Sequence, residues 1–280
     1  MGSLHQFTYG FITPAVAYGF SFFGSLLGLI ATGRARSMPP GPQRARWLVL
    51  AAWAIGGTGI WVMHFVAMIG FSVTGSAILY DVKTTVASWL IAVIVVGVGL
   101  FVVGYRRPSA AKLFIGGPLT GLGVGAMHYA GMDAMRVNGD IGYDGRVVLA
   151  SLVIAVVAAT VALWFTLVVR GPAATVSAAA IMGVAVCGMH YTGMYAMRVH
   201  VHDATGQLEG VDPMTFLVPI LAFVMMVAVT LAYALLAASM QRDTDFEQEL
   251  HARMVKRRLA PNPMPPTSAF IPVREHRRRN

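Results

Sequence analysis

Three histidines recur in one local setting. His64, His128 and His190 sit in GTGIWVMHFVAMIGF (57–71), GLGVGAMHYAGMDAM (121–135) and GVAVCGMHYTGMYAM (183–197), which align without gaps. Each follows a methionine, Met63, Met127 or Met189, and precedes by four another, Met68, Met132 or Met194. A glycine stands seven earlier, at Gly57, Gly121 and Gly183, and an aromatic follows, at Phe65, Tyr129 and Tyr191. Imidazole suits Cu, Zn, Fe and Ni, and thioether selects Cu(I). Neutral His and Met donors hold a monovalent ion in a low-dielectric site more readily than a divalent one with no carboxylate to balance it. The donor set therefore points to copper, as Cu(I).

Helix geometry gives the offsets meaning. Residues i and i+4 share a face, so each histidine and its following methionine converge on one point. The glycine at i−7 falls on that face two turns away, where it lets a neighbouring helix approach. The methionine at i−1 is rotated about 100° and needs another helix to share the point. The expectation is that the three motif helices pack closely around a common centre. Their histidines would face inward and pool their ligands, with the remaining helices outside. A single membrane histidine is equally well explained by a hydrogen bond to a carbonyl, and methionine is a common core filler. Three copies at equal offset and depth favour a shared metal or cofactor role.

Other ligand candidates are less regular. Cys187, three before His190, suits a small buried hydrophobe better than a thiolate ligand. His200 and His202 form an H-x-H pair in a loop, where solvation is the expected state. Met135 and Met197 extend two copies to i+7, where the first has Phe71. Asp133 is expected to ion-pair at the interface, and His5 is close to the N-terminus.

The elements that carry these residues are long and apolar. The 280-residue chain is 56% hydrophobic and only 12% charged, against about 25% charged in ordinary globular domains. Seven stretches are long enough to cross about 30 Å of hydrocarbon: roughly 11–31, 47–70, 84–104, 113–135, 147–169, 174–197 and 215–240. They contain no Lys, Arg or Glu, and Asp133 is their one Asp. No basic residue precedes the first, so it does not read as a cleavable signal peptide. The histidines lie 64 and 62 residues apart, on the second, fourth and sixth stretches. The fold class expected is an all-α membrane protein of three two-helix repeats plus one helix.

Charge orients the spans. Of 21 Lys and Arg, 17 fall on one side, in the loops at Arg34–Arg46, Arg106–Lys112 and Arg170 and in the tail. Lys83, Arg136, Arg146 and Arg198 fall on the other, with seven of the acids. Positive residues mark the cytoplasm, so the N-terminus is expected outside and the C-terminus inside. The net charge of +9 then reflects topology and attraction to anionic lipid, with no nucleic-acid role. The single cysteine excludes an internal disulfide framework. Residues 1–240 read as the membrane domain, and 241–280 as a basic, Pro-rich cytoplasmic tail. Its first part could continue the seventh helix, and its second is expected to be disordered.

On these motifs the sequence resembles the MHYT domain family of bacterial membrane sensors. The motif stands unaltered at Met189–Thr192, as MHYA at 127–130 and as MHFV at 63–66. The resemblance covers about residues 7–240. It implies a multi-pass protein of the bacterial plasma membrane, without catalysis of its own. It implies copper bound by these Met and His residues near the outer face, and sensing of O2, CO or NO. Many members carry a cytoplasmic domain that makes or degrades cyclic di-GMP. The forty residues of 241–280 are too few for one, so the signal would pass to a separate partner. Copper uptake, storage or delivery would use the same ligands, and a haem protein could use the histidines axially. A retinal protein is disfavoured because the seventh span has no lysine for a Schiff base.

Overall fold

The structure is a computed structural model that describes residues 4–202 and 208–259. Seven helices among the described residues are long and apolar enough to span a membrane. They are α1 (Ile12–Arg36), α2 (Pro42–Ile69), α3 (Val82–Gly104), α4 (Ala110–Asp133), α5 (Gly145–Val168), α6 (Pro172–Tyr195) and α7 (Pro213–Ala234). The expected seven-span architecture is present. The chain divides into two compact units, Met1–Leu235 and Leu236–Asn280. In the second, helix is assigned as far as Leu259, and the segment expected to be disordered lies outside the described residues.

Helices α1 to α6 close into a ring. Each packs mainly on its neighbours in sequence, and α1 also packs on α6. Helix α7 lies against the outside of α1 and α2, where Ala228 and Leu231 meet Leu27 and Ala54. Small residues set the close approaches. A Cβ on Gly24 of α1 would collide with the backbone of Gly59 and Ala54 in α2, and one on Gly117 of α4 with Thr160 of α5. Without a hydrophobic drive between helices in lipid, such backbone proximity and the van der Waals contact it allows hold the bundle.

This arrangement corrects the expectation that the motif helices are nearest neighbours with the others outside. The odd-numbered helices α1, α3 and α5 alternate with α2, α4 and α6 around the ring, and the even-numbered ones touch each other only slightly. The glycines at i−7 serve the alternation. Gly57 faces Trp89 and Val93 of α3, Gly121 faces Ala155 and Val156 of α5, and Gly183 faces Tyr18 and Phe22 of α1. Each motif helix therefore uses its glycine to seat an odd-numbered helix.

The first copy departs further. Residues Trp53–Val62 form a π-helix before the α-helical Met63–Ile69. Wide i→i+5 turns are uncommon and concentrate at functional sites. Gly56, Gly57 and Gly59 lie in this stretch, and glycine has little α-helical preference. The face argument from a period of 3.6 thus does not reach from His64 back to Gly57.

Helix ends follow ordinary capping chemistry. Asp81 accepts from the Thr84 amide, Asp144 from that of Arg146, and Asp212 from those of Met214 and Thr215. These carboxylates satisfy amides that have no partner in the first turn. The side-chain and backbone hydrogen bonds from Thr84 hold the Asp81 carboxyl below its ordinary range. At the opposite ends, the Arg36 guanidinium donates to the Thr166 and Val169 carbonyls at 2.6 and 2.5 Å. Arg44 donates to the Gly104 carbonyl. Two of the arginines that mark one side of the membrane thus also close the free carbonyls of α5 and α3.

Three short antiparallel pairs cover the ends of the motif helices. Strand β1 (Leu4–His5) pairs with β2 (Ser72–Val73), β3 (Leu79–Tyr80) with β4 (Met135–Arg136), and β5 (Gly139–Tyr143) with β6 (Met197–Val201). Each pair joins segments from different parts of the chain, so the loops over the histidines are stitched together. Phe71, Val73, Tyr80, Met135, Met197 and Val199 are buried beneath them.

Candidate metal centre

The three histidines meet. Each lies five residues before the last residue of its helix, Ile69, Asp133 or Tyr195, so equal sequence position becomes equal depth. His64 Nδ1 is 3.0 Å from His190 Nδ1 and 3.1 Å from His128 Nδ1. The rings stand nearly perpendicular, with interplanar angles of 79–88°. All three are at most 1% exposed. Their ligand atoms lie within 4.8 Å of one another, and no cysteine or carboxylate joins this group among the described residues.

The arrangement suits a cation. A neutral imidazole has one donor and one acceptor nitrogen. The one in-plane lone pair of His64 Nδ1 accepts a single proton well, yet two other nitrogens approach it. His64 Nε2 and His128 Nε2 have no hydrogen-bond partner and are buried. Protons alone leave at least one close nitrogen pair unmet, which is costly away from water. One metal ion would take all three lone pairs. Metal–nitrogen bonds of about 2.0 Å would need only a small outward movement of these rings.

A small residue three after each histidine makes room for the rings. A Cβ on Gly131 of α4 would collide with His64 Nε2, and one on Gly193 of α6 with His128 Nε2. The contacts run from α2 to α4 and from α4 to α6, so the His64 and His128 rings each lie over the next motif helix. The first copy carries Ala67 at this offset. This feature was missed in the sequence, although the pattern M-H-x-x-[GA]-M was visible there.

The other candidates fall as follows. Met63, Met68, Met127, Met132, Met189 and Met194 are all buried, none more than 3% exposed. They lie one residue before or one helical turn beyond the histidine cluster. Met135 and Met197 are buried in β4 and β6. Cys187 is partly buried against the core and outside the histidine group. His200 and His202 are exposed, and His202 Nε2 lies 3.4 Å from an Asp140 carboxylate oxygen. Asp133 is exposed on the helix end. Burial, with the Asp133 charge adding to it, pushes the Tyr143 hydroxyl up to about 12. His5 lies in β1.

The aromatic after each histidine packs edge-on to it, at ring separations of 4.8–5.0 Å. The Tyr129 hydroxyl is 2.7 Å from Ser151 Oγ on α5. In the first copy Phe65 has no hydroxyl, and the corresponding Ser88, seven residues after the capping Asp81 as Ser151 is after Asp144, accepts from Trp61 Nε1. Tyr129 therefore ties α4 to α5, and in the first copy Trp61 makes the link from α2 to α3, while the Tyr191 hydroxyl is buried without a hydrogen-bond partner. A haem between these histidines is not accommodated. Axial ligands must stand on opposite faces of the macrocycle, whereas these nitrogens almost touch.

Fold and centre together define a seven-helix membrane protein with a threefold-repeated histidine cluster that could hold a metal ion. The chain belongs to the MHYT family, described as a bacterial signalling protein N-terminal repeat, which matches residues 57–116, 121–179 and 183–251. The matches begin at or near the glycine seven before each histidine. The chain is 34% identical over 211 residues to the bifunctional diguanylate cyclase/cyclic di-GMP phosphodiesterase MucR of Pseudomonas aeruginosa, covering 73% of this chain and 30% of that protein. It is 35% identical over 187 residues to an uncharacterized signaling protein of Caulobacter vibrioides, covering 64% and 22% respectively. It is 33% identical over 165 residues to the cyclic di-GMP phosphodiesterase NbdA of Pseudomonas aeruginosa, covering 57% and 21%. The chain thus spans less than a third of the length of these relatives. No solved structure matches it.

Proposed function

We propose that this chain is a membrane sensor in which His64, His128 and His190 hold one copper ion, as Cu(I), with thioethers from Met63, Met68, Met127, Met132, Met189 and Met194 available to complete its coordination. The observation that carries this reading is the convergence of three imidazole nitrogens in a buried, methionine-rich layer, with no carboxylate in the group among the described residues. A soft, singly charged ion suits such a set. Copper held there would supply a centre able to bind CO, NO or O2, and the sensed input would then be a diatomic gas or the redox state linked to it. The domain itself needs no catalytic residue. Its relatives join this region to cyclic di-GMP turnover in one protein, and this chain would pass its signal to an output of that kind.

Copper uptake or delivery fits less well. The cluster is sealed beneath paired strands, and an ion in transit needs an exit. The test is metal analysis of the purified protein in detergent. About one copper per chain is expected, and the triple change of His64, His128 and His190 to Ala should remove it. Loss of His128 alone should remove most of the copper, because the three ligands act on one ion. Undiminished copper in the triple variant, or zinc held in preference, would overturn the reading. Addition of CO should give a copper carbonyl band in the infrared that the triple variant lacks.

A further inference from the structure

Beneath the histidine layer the helix ring is not filled. A cavity of about 50 Å³ is lined by residues of α2, α3, α4, α5 and α6. Its origin is visible in α5. Ala155, Ala158, Ala159 and Ala162 all line it, and their spacing of three and four residues places them on one helix face. Four methyl side chains there leave a gap that the larger residues opposite do not close. At its upper end the lining includes Met189, the residue before His190.

The lining is almost wholly apolar. The exceptions are two threonines. The Thr120 hydroxyl is buried and has no hydrogen-bond partner, and the Thr166 hydroxyl donates to the Leu163 carbonyl at 2.6 Å. A buried water needs two to four polar partners and roughly 10–15 Å³. The space suffices for several such atoms, but the partners do not. A small, uncharged molecule with at most one weak hydrogen-bond acceptor matches better, as gases match dry apolar cavities.

We propose that this cavity is a binding site for a diatomic gas such as O2, CO or NO, held against Met189 directly below the histidine cluster. For the identity of the gas, this rests on the sensor reading above. The cavity would raise the local concentration of a gas that dissolves well in the surrounding hydrocarbon.

Xenon, which is apolar and binds no copper, separates the two proposals. The purified chain in nanodiscs should show a saturable, site-specific xenon NMR response. Ala159→Leu should abolish it while leaving copper content unchanged. Ala158→Val, a smaller filling change, should weaken it, and keeps the test open should Ala159→Leu fail to fold. Absence of a saturable xenon response in the unaltered chain, or an undiminished response in both folded variants, overturns the cavity proposal whatever the copper content. A xenon response that the variants remove, in a chain without copper, supports the cavity site and overturns the copper reading alone.

Discussion

At the scale of single residues, the centre depends on three rings fitting into spaces that their neighbours leave. Gly131 and Gly193 leave no room for even a methyl group beside His64 and His128. Gly193→Ala is therefore expected to displace the His128 ring and lower copper affinity at least tenfold, while the far-ultraviolet dichroism stays helical. Titration with a Cu(I) chelator checks this. An unchanged affinity would show that the ring adjusts freely. Phe65→Tyr is expected to be tolerated poorly. Phe65 is fully buried, and the Ser88 hydroxyl is already engaged with the Trp61 indole N–H and the Thr85 carbonyl, so a new hydroxyl must compete for it or stay unmet. The cost of such an unmet group is about 1–3 kcal/mol, readable as a lower Tm.

At the scale of elements, the glycines at i−7 differ in what they touch. A Cβ at Gly121 would strike the α5 backbone at Ala155 and Val156, whereas at Gly57 the nearest atom is 3.4 Å away, on the Trp89 side chain. Gly121→Ala should therefore destabilise by about 1–3 kcal/mol, as overpacking does, and Gly57→Ala far less. Comparing their Tm values in detergent tests this, and equal effects would contradict the packing. Helix caps add a pH dependence. The Asp81 carboxyl is held below its ordinary range by Thr84. Its contribution is present above the unfolded carboxyl value and lost as pH falls through the lowered one. Asp81→Ala should thus lower Tm at neutral pH, and the difference from the unaltered chain should shrink as the solution is acidified below about pH 4. A difference independent of pH would remove the carboxylate from the account.

At the scale of the whole molecule, three two-helix repeats close a ring and a seventh helix covers part of it. The ring turns a linear repeat into a centre with near-threefold order, because each motif helix contributes one ring at one depth. Helix α2 is the most buried of the spans. It is also the one with the π-helical stretch and with α7 on its outer side, so the first copy differs most from the other two. The charge pattern predicts that a reporter joined after Asn280 is active in the cytoplasm, and that one inserted near Asn138 reports from outside. The reverse pattern would place the histidine end of the bundle on the cytoplasmic side and would require the sensing face to be reassigned.

The sequence by itself determined the seven spans, the repeat and the histidines that belong together. Each rests on short-range chemistry that a linear pattern carries: apolar length sets a span, and a fixed offset sets a helix face. The methionines and glycines at constant offsets were legible for the same reason. What those glycines touch was not, because helix contact depends on the order in which six helices close. Only the tertiary structure decided that odd-numbered helices lie between the motif helices. Only it showed that Gly131 and Gly193 receive the rings and that the α5 alanines leave a cavity. The π-helix of α2 was hidden too: it lies in the most buried span, packed by α1, α3 and α7, and a period read from a single helix does not contain its neighbours.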